Sequence, residues 1–175
     1  MSLLAAELEL FAVKLARGGS GAAELELELE RANCERIRET KECASHPNLL
    51  QFVRWTVDGD AKTGENLAPV FSWCNSGDLS SLIAERKAQT PRAFLSRHEA
   101  LSLAVQLTSA VAALHKHGLV HRDLTPRNVL CHRVDGRLVL KLGDFGLCKD
   151  DVLAEPTHHS ITTIEPRGDS IHRSA

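Results

Sequence analysis

Apolar residues recur at strand spacing over several stretches of this chain. Leu8 to Leu15 alternates between two faces, which is typical of a strand. Leu49 to Val57 and Leu67 to Trp73 are apolar runs on either side of a polar turn, so they predict a strand and its returning partner. The first half of the chain is therefore predicted to contain a small antiparallel sheet.

A helix is predicted between the first strand and this strand pair, although Glu24 to Glu30 alternates Glu with Leu. Strict alternation alone would indicate a strand, but Leu, Glu, Arg and Ala are among the better helix formers. The charged residues that follow lie at helical separations with basic partners nearby. We therefore predict a helix over most of Leu25 to Cys43, which Pro47 ends.

Two more helices are predicted after the strands. Asp78 is suited to cap a helix from Leu79 to Lys87. Ser96 and Glu99 form a capping box, which opens a helix that reaches His117 and ends at the following glycine. Apolar residues recur along this helix at helical spacing, and they predict that it is largely buried.

A hairpin is predicted in the last third of the chain. Asp135-Gly136 lies between two apolar runs, Val129 to Cys131 and Leu138 to Leu142, and Asp-Gly between strands is a strong hairpin signal. Such a hairpin would present Asn128, at one end, and Asp144, at the other, side by side.

Composition sets limits on the class of protein. The chain has 175 residues, of which 43% are hydrophobic and 25% charged, as expected of a globular protein of one domain or a small two-lobed unit. Its net charge of -2 does not indicate binding to nucleic acid or to an anionic membrane. No apolar run is long enough for a membrane span. Five cysteines without a C-x-x-C pair indicate reduced thiols and a cytoplasmic location.

The chemistry is concentrated in His121-Arg122-Asp123, in Asn128 five residues after the Asp, and in Asp144-Phe145-Gly146. Two carboxylates and an amide at these spacings suit metal-bound phosphate. The order H-R-D, Asn, D-F-G matches the catalytic-loop and metal-loop signatures of the eukaryotic protein kinases, so the chain resembles that family.

The resemblance implies the reaction and its cofactors, ATP and Mg²⁺. Asp123 would accept the proton of the substrate hydroxyl, while Asn128 and Asp144 would hold Mg²⁺. His121 would brace the metal loop, and Arg122 would pair with a phosphorylated activation loop. The other partner implied is a protein substrate.

Residues near the start of the chain extend the resemblance. Phe11-Ala12-Val13-Lys14 resembles the V-A-I-K of the third kinase strand, which implies that Ala12 lies under the adenine and Lys14 reaches the α- and β-phosphates. Counting back from His46-Pro47-Asn48 makes Glu35 the best candidate for the partner of Lys14. Glu30 and Glu39 stay open as alternatives.

The segment after the sheet resembles a kinase hinge, Cys74 to Leu79 with its exit Gly77-Asp78-Leu79. The resemblance implies that Phe71 is the gatekeeper and that the backbone of Ser72, Trp73 and Cys74 reads adenine. Asp78 would accept from the ribose hydroxyls, a role compatible with capping the helix. Leu130 completes the nucleotide-binding residues that the resemblance implies.

Three departures from the family pattern limit these expectations. Thr125 occupies the place of a Lys that helps neutralise the γ-phosphate, and Arg127 could supply the missing charge, as in tyrosine kinases and some tyrosine-kinase-like Ser/Thr kinases. The acceptor hydroxyl therefore stays open, with Ser/Thr favoured over Tyr. No G-x-G-x-x-G precedes Lys14, and no A-P-E follows the metal loop.

The predicted fold class is α+β, a protein-kinase-like two-lobed fold truncated at both ends. Residues 1–74 would form a partial N-lobe, 75–150 a partial C-lobe with the catalytic and metal loops, and 151–175 a partial activation segment or disordered tail. The predicted function is transfer of the ATP γ-phosphate to a protein hydroxyl. The alternative is a catalytically inactive kinase-like module that binds partners or nucleotide.

Overall fold

The computed structural model describes residues 10–14, 21–58, 66–90 and 95–150. Helices and strands follow one another in short runs, an α+β composition that confirms the predicted fold class. The elements are β1 (Phe11–Val13), α1 (Gly21–Glu39), α2 (Lys41–Ala44), β2 (Phe52–Asp58), β3 (Asn66–Ser72), α3 (Leu79–Gln89), α4 (Arg97–Lys116), β4 (Leu119–Val120), β5 (Val129–Val134), β6 (Arg137–Leu142) and β7 (Lys149–Asp150). The polar turn and the tail predicted at 58–64 and 151–175 lie almost entirely outside the described residues.

The first three strands form an antiparallel sheet in the order β1-β3-β2. All three strand predictions are confirmed, although β1 is only three residues long. Its register sets Ala12 opposite Phe71, so two residues predicted to lie at the nucleotide site are neighbours across the strands.

The Leu-Glu stretch is helical, as predicted, because α1 runs through it to Glu39. The helix then breaks at Thr40, and a short second helix, α2, follows it. The face that α1 buries contains Glu30, Cys34 and Ile37, which are separated by four and three residues and so lie above one another on a helix. The break at Thr40 and the buried face of α1 determine which glutamate of the helix meets Lys14.

The capping box at the start of α4 is confirmed. Ser96 Oγ accepts from the Glu99 backbone N–H at 3.1 Å, and Glu99 Oε2 accepts from the Ser96 N–H at 3.0 Å. Gly118, with a φ of 68°, follows the helix in the left-handed conformation that favours glycine.

The prediction that α4 is largely buried is wrong. Only Ala110, Ala113 and Leu114 are buried on it, whereas Leu101 is 64% exposed and Val105 is 58% exposed. The described elements β4, β6 and α2 contact one side of the helix, so the rest of its apolar repeat faces outward within the described part of the chain.

Strands β5 and β6 form the predicted hairpin, from the pair Val129 and Leu142 to the pair Val134 and Arg137. Asp135 and Gly136 make its two-residue turn with φ of 48° and 75°, and two positive φ angles are what the favoured hairpin turn requires.

One hydrophobic core joins the sheet side of the molecule to the hairpin side. Residues 48–50 run beside β6, since Leu142 donates to the Asn48 carbonyl and Leu50 donates to the Leu142 carbonyl, both at 2.8 Å.

All five cysteines are buried and unpaired. Four of them lie, one each, in α1, in α2, in β5 and in the segment that follows β3. None of the described helices has the length and hydrophobicity of a membrane span.

Candidate active site

A cavity of about 490 Å³ lies where the small sheet faces the start of the hairpin. Its walls come from β1, β3, the segment after β3, the start of β5 and the segment after β6. They include these residues predicted to act in catalysis or to bind nucleotide or metal: Ala12, Lys14, Phe71, Trp73, Cys74, Asp78, Arg127, Asn128, Leu130 and Asp144. Of the other predicted site residues, Asp123 is bonded to Asn128 of this lining, and Glu35 is outside it.

Aromatic packing fixes one wall of the cavity. Phe71 is buried on β3, and its ring meets that of Phe52 edge to face with centroids 5.9 Å apart. Phe52 in turn lies 5.2 Å from the ring of Trp55, centroid to centroid. Because three rings brace one another, the position of Phe71 in the cavity is set by the core of the sheet.

The segment after β3 presents backbone to the cavity. The Ser72 N–H donates to the Gln51 carbonyl at 2.9 Å, and the Trp73 N–H donates to the Leu10 carbonyl at 3.3 Å. The Cys74 N–H has no acceptor among the described residues, although Cys74 lines the cavity. This amide is therefore available to a ligand acceptor.

Lys14 lies at the centre of an ion-pair cluster. Its Nζ donates to Glu30 Oε1 and Oε2, both at 2.8 Å, and to Asp144 Oδ1 at 3.0 Å. The cluster joins β1, α1 and the segment after β6. Three elements that are distant in sequence are thus held together at one amine.

The prediction that Glu35 pairs with Lys14 is wrong, and the alternative Glu30 is the partner. Glu35 instead accepts from Arg31 Nε at 3.2 Å, on the outside of the helix. Five residues turn a helix by about 140° beyond a full turn, so the two glutamates face different directions. The count back from His46-Pro47-Asn48 failed because α1 breaks at Thr40 and the register does not carry through.

Burial and charge act in opposite directions on this cluster. Burial alone would lower the pKa of Lys14, but the hydrogen bonds and charges of Glu30 and Asp144 outweigh it, and the net shift is upward. Burial raises the pKa of Glu30, and the Lys14 ammonium only partly offsets the rise. The amine is therefore held in its charged form, able to contact phosphate.

The catalytic-loop residues are held by bonds within their own loop. Asn128 Nδ2 donates to Asp123 Oδ2 at 2.7 Å and to the Asp123 carbonyl at 3.0 Å. The Asp123 carbonyl also accepts from the Thr125 N–H at 3.0 Å, and a single 3-10 turn at Pro126–Asn128 completes the loop. The carboxylate and the amide are thus fixed relative to each other.

His121 connects this loop to the metal loop, as predicted. Its Nε2 lies 3.0 Å from the Gly143 carbonyl, and its Nδ1 lies 3.3 Å from the Asp123 N–H. Because Nδ1 faces a donor, Nε2 carries the proton and donates to Gly143. Burial lowers the pKa of His121, against the pull of the Gly143 bond and of Asp144 and Asp123, so the neutral ring is favoured.

The metal loop is anchored by Phe145, whose fully buried ring lies 5.8 Å from that of His121 in an edge-to-face arrangement. Asp144 and Arg122 both have positive φ, 61° and 68°, a conformation that residues with a side chain adopt at a cost. The backbone is therefore strained at both loops, and Asp144 lines the cavity.

Asn33 is a site residue that the sequence did not reveal. Its Nδ2 donates to the Phe145 carbonyl at 2.7 Å and to the Cys148 carbonyl at 3.2 Å, which ties α1 to the segment after Asp144. One signal for it existed, because Asn is a poor helix former and lies here beside the buried Cys34. For Glu30 the signal was clearer, since it continues the stripe of Cys34 and Ile37 backward by four residues.

Comparisons with known proteins agree with this geometry. The family model described as protein kinase domain matches residues 5–165. Human serine/threonine-protein kinase Nek2 is 36% identical over 118 residues, which cover 65% of this chain and 24% of Nek2. From Caenorhabditis elegans, serine/threonine-protein kinase chk-2 is 32% identical over 62% of this chain and 21% of its own length. The inactive tyrosine-protein kinase RYK of that organism is 40% identical over 58% and 16%.

The chain spans about a quarter of the length of the two Nek2 proteins that it matches. The matches are therefore to a part of each relative.

Proposed function

This chain belongs to the protein kinase family, and from that premise we propose that it transfers the γ-phosphate of ATP to a hydroxyl of a protein substrate. The observation that carries the proposal is the ion-pair cluster of Lys14, Glu30 and Asp144 at the wall of a cavity that also contains Asn128. In protein kinases the lysine–glutamate pair and the metal-binding aspartate must both be in place for transfer. Relatives named as serine/threonine kinases support Ser or Thr as the acceptor over Tyr.

The adenine would lie between apolar walls. Ala12, Phe71 and Leu130 supply them, and the Cys74 N–H, which has no acceptor among the residues that the structure describes, can donate to a ring nitrogen. Trp73 is 47% exposed at the rim of the same cavity. The cavity volume lies within the range of roughly 300–1,000 Å³ that small-molecule sites have.

Asp78 would have two roles. Its Oδ1 accepts from the Ser81 N–H at 2.9 Å and its Oδ2 from Ser81 Oγ at 3.0 Å, so it caps α3. Each carboxylate oxygen accepts more than one hydrogen bond, so ribose hydroxyls can still donate to Asp78.

Asn128 and Asp144 fit a magnesium site. They offer amide and carboxylate oxygens, the hard donors that Mg²⁺ prefers, and Mg²⁺ completes its shell with water and phosphate oxygens. Mg²⁺ would supply charge neutralisation at the transferring phosphoryl group when bound. The chain's contribution is to hold these oxygens, through the His121 bond to Gly143 and the Asn33 bond to Phe145.

Asp123 would orient the acceptor hydroxyl and take its proton. The Asn128 bond engages Oδ2, whereas Oδ1 has no hydrogen-bond partner in the described part of the chain. Arg127 is exposed at the cavity wall and would place positive charge near the transferring group, in place of the lysine that Thr125 replaces. Lys14 would hold the non-transferring phosphates.

We also propose a cytoplasmic location, which the five buried and unpaired thiols support, since disulfides are rare in that compartment. The net charge of -2 gives no support for a nucleic-acid partner.

The test is phosphoryl transfer from labelled ATP with Mg²⁺ to peptide libraries that carry Ser, Thr or Tyr. Asp144→Asn and Asp123→Asn are expected to lower the rate at least about 100-fold, since each removes one part of the reaction. Asp135→Asn is the matched control, because it makes the same change in an exposed turn where Asn tolerates the positive φ.

Nucleotide binding is measured in parallel by calorimetry. Equal transfer by the wild type and Asp144→Asn would refute the kinase proposal. Nucleotide binding without any transfer by the wild type would favour the inactive, nucleotide-binding module.

A further inference from the structure

A second cavity, of about 650 Å³, lies apart from the first and shares none of its lining residues. The first turns of α4 form one wall, and the β5–β6 hairpin with its turn forms another. Arg86 of α3 and the loop residues Pro47 and Asn48 complete the boundary. The cavity is as large as a small-molecule or peptide-anchor site and is not explained by phosphoryl transfer.

The charged side chains around this cavity are mainly basic. Arg86, Arg133 and Arg137 line it, and Glu99 is the one carboxylate among the described residues of the lining. Arg133 and Arg137 are exposed, and no carboxylate pairs with either of them in the described part of the chain. A basic surface on a chain with a net charge of -2 is a local feature, not an effect of overall composition.

Glu99 does not pair with the two hairpin arginines, because its oxygens are already engaged and its charge is offset by that of Arg86. Oε1 accepts from Arg86 Nη1 at 2.8 Å, and Oε2 accepts from the Ser96 N–H at 3.0 Å and from Ser96 Oγ at 2.8 Å. The Ser96 backbone N–H, with Arg86, lowers the pKa of Glu99 to about 2. The field of the cavity is therefore set by Arg133 and Arg137.

The floor of the cavity is apolar and rigid. Leu95, Leu103, Leu138 and Val139 are partly buried there. Gln106 fixes β6 to α4, since its Nε2 donates to the Leu138 carbonyl at 3.1 Å and its Oε1 accepts from the Leu140 N–H at 2.8 Å. Both ends of the Gln106 side-chain amide are thereby bonded to β6, so a ligand in this cavity would contact the leucines and the arginines.

The hairpin that carries the arginines is anchored as well. Asn75 Oδ1 accepts from the Arg133 N–H at 2.8 Å, and Asn75 Nδ2 donates to the Arg133 carbonyl at 3.1 Å. The tight turn at Asp135 and Gly136 sets Arg137 opposite Val134 across the hairpin. Two guanidinium groups on a preformed hairpin lose less entropy on binding an anion than two on a mobile loop.

We propose that this second cavity binds an acidic peptide segment of a partner protein, with phosphate or carboxylate groups on Arg133 and Arg137 and an apolar side chain on the leucine floor. Planar guanidinium groups bind both anions through paired, charge-assisted hydrogen bonds. The site is independent of phosphoryl transfer, so its failure and the failure of the kinase proposal are separate results.

The test is fluorescence anisotropy of the full chain with three labelled peptide libraries that differ only at a central phosphoserine, glutamate or serine, each with flanking leucines. Phosphoserine and glutamate peptides are expected to bind, and the serine peptides are not. Tighter binding of phosphoserine identifies phosphate as the anion, whereas equal binding identifies the shared negative charge.

Variants decide whether the cavity is responsible. The double variant Arg133→Glu and Arg137→Glu is expected to weaken binding at least about tenfold, since it removes two charged donors. Arg54→Glu is the control, because Arg54 is exposed on β2 and lines neither cavity. Arg54→Glu should change the affinity less than about twofold, and all variants should keep the wild-type melting temperature.

Two results would overturn the proposal. One is equal affinity of the wild type and the double variant for the acidic peptides. The other is no binding in both the phosphoserine and the glutamate arms.

Discussion

Glu30→Gln, compared with Glu35→Gln, tests which glutamate of α1 positions Lys14. Both oxygens of Glu30 accept from Lys14 Nζ at 2.8 Å, and Glu30 is only 4% exposed. Glutamine keeps one acceptor oxygen and nearly the same shape, so the substitution removes one charge-assisted bond and the negative charge. Asp144 remains as the second partner of the amine, at 3.0 Å.

The magnitude follows from these contacts. A hydrogen bond to a charged group contributes about 1.5–3 kcal/mol. Lys14 is about half exposed, so solvent screening reduces this to about 1–2 kcal/mol. That free energy corresponds to a loss of about 5- to 30-fold in ATP affinity or in kcat/KM. Glu35 makes a surface pair with Arg31, worth about 0.3–0.5 kcal/mol, so Glu35→Gln should change either quantity by about twofold or less.

Calorimetric titration with ATP and Mg²⁺ gives the affinity, and thermal unfolding of each variant shows whether the fold is kept. A loss with Glu35→Gln that equals the loss with Glu30→Gln would refute the assignment of the ion pair. Wild-type affinity and activity in Glu30→Gln would refute the role given to the pair.

Three further predictions concern stability, each measured by thermal unfolding. The pKa of Glu99 is lowered to about 2 from its usual 4.5, so the contribution of its charged form to stability is complete above pH 4.5 and is lost as the pH falls through 2. The difference in melting temperature between the wild type and Glu99→Gln should therefore vanish over that pH window. Gly143→Ala would set a Cβ 2.9 Å from Leu50 Cδ2, and such overpacking costs about 1–3 kcal/mol, a cost that should be smaller when Gly143→Ala is made in a Leu50→Ala background, which lacks the contacted atom. Asn33→Ala leaves two carbonyls without their side-chain donor and should cost about 1–3 kcal/mol.

Each of these has a contradicting result. A difference for Glu99→Gln that persists at pH 2 would show that its charge is not the source of the contribution. A Gly143→Ala variant as stable as the wild type would mean that the Leu50 side chain moves aside with no loss in the free energy of unfolding. Unchanged stability of Asn33→Ala would show that the bonds from α1 to the metal loop contribute nothing net.

Local signals were enough to predict much of this fold. The capping box of Ser96 and Glu99 and the Asp135-Gly136 turn each depend on neighbours within a few residues, and both are confirmed. The helix through the Leu-Glu stretch was also predictable, because propensity outweighed alternation there.

Features that depend on packing between distant elements were not predictable from spacing. The break at Thr40 changes the register of α1, which is why Glu30 and not Glu35 meets Lys14. The exposure of Leu101 and Val105 depends on which elements contact α4, and an apolar repeat does not specify them. The roles of Asp123, Asn128 and Asp144 stay predictions that the experiments above test.

The bond between Lys14 and Asp144 also has a consequence for the order of folding. It joins residues 130 positions apart, and β1, which Lys14 directly follows, pairs only with β3 among the described strands. Contacts between such distant residues form only after the intervening chain has lost much of its freedom, so they form slowly. We therefore expect the helices and the hairpin to form first and the Lys14 amine to be placed last. A partly folded chain would then have the side chains of the candidate active site without the arrangement that brings them together.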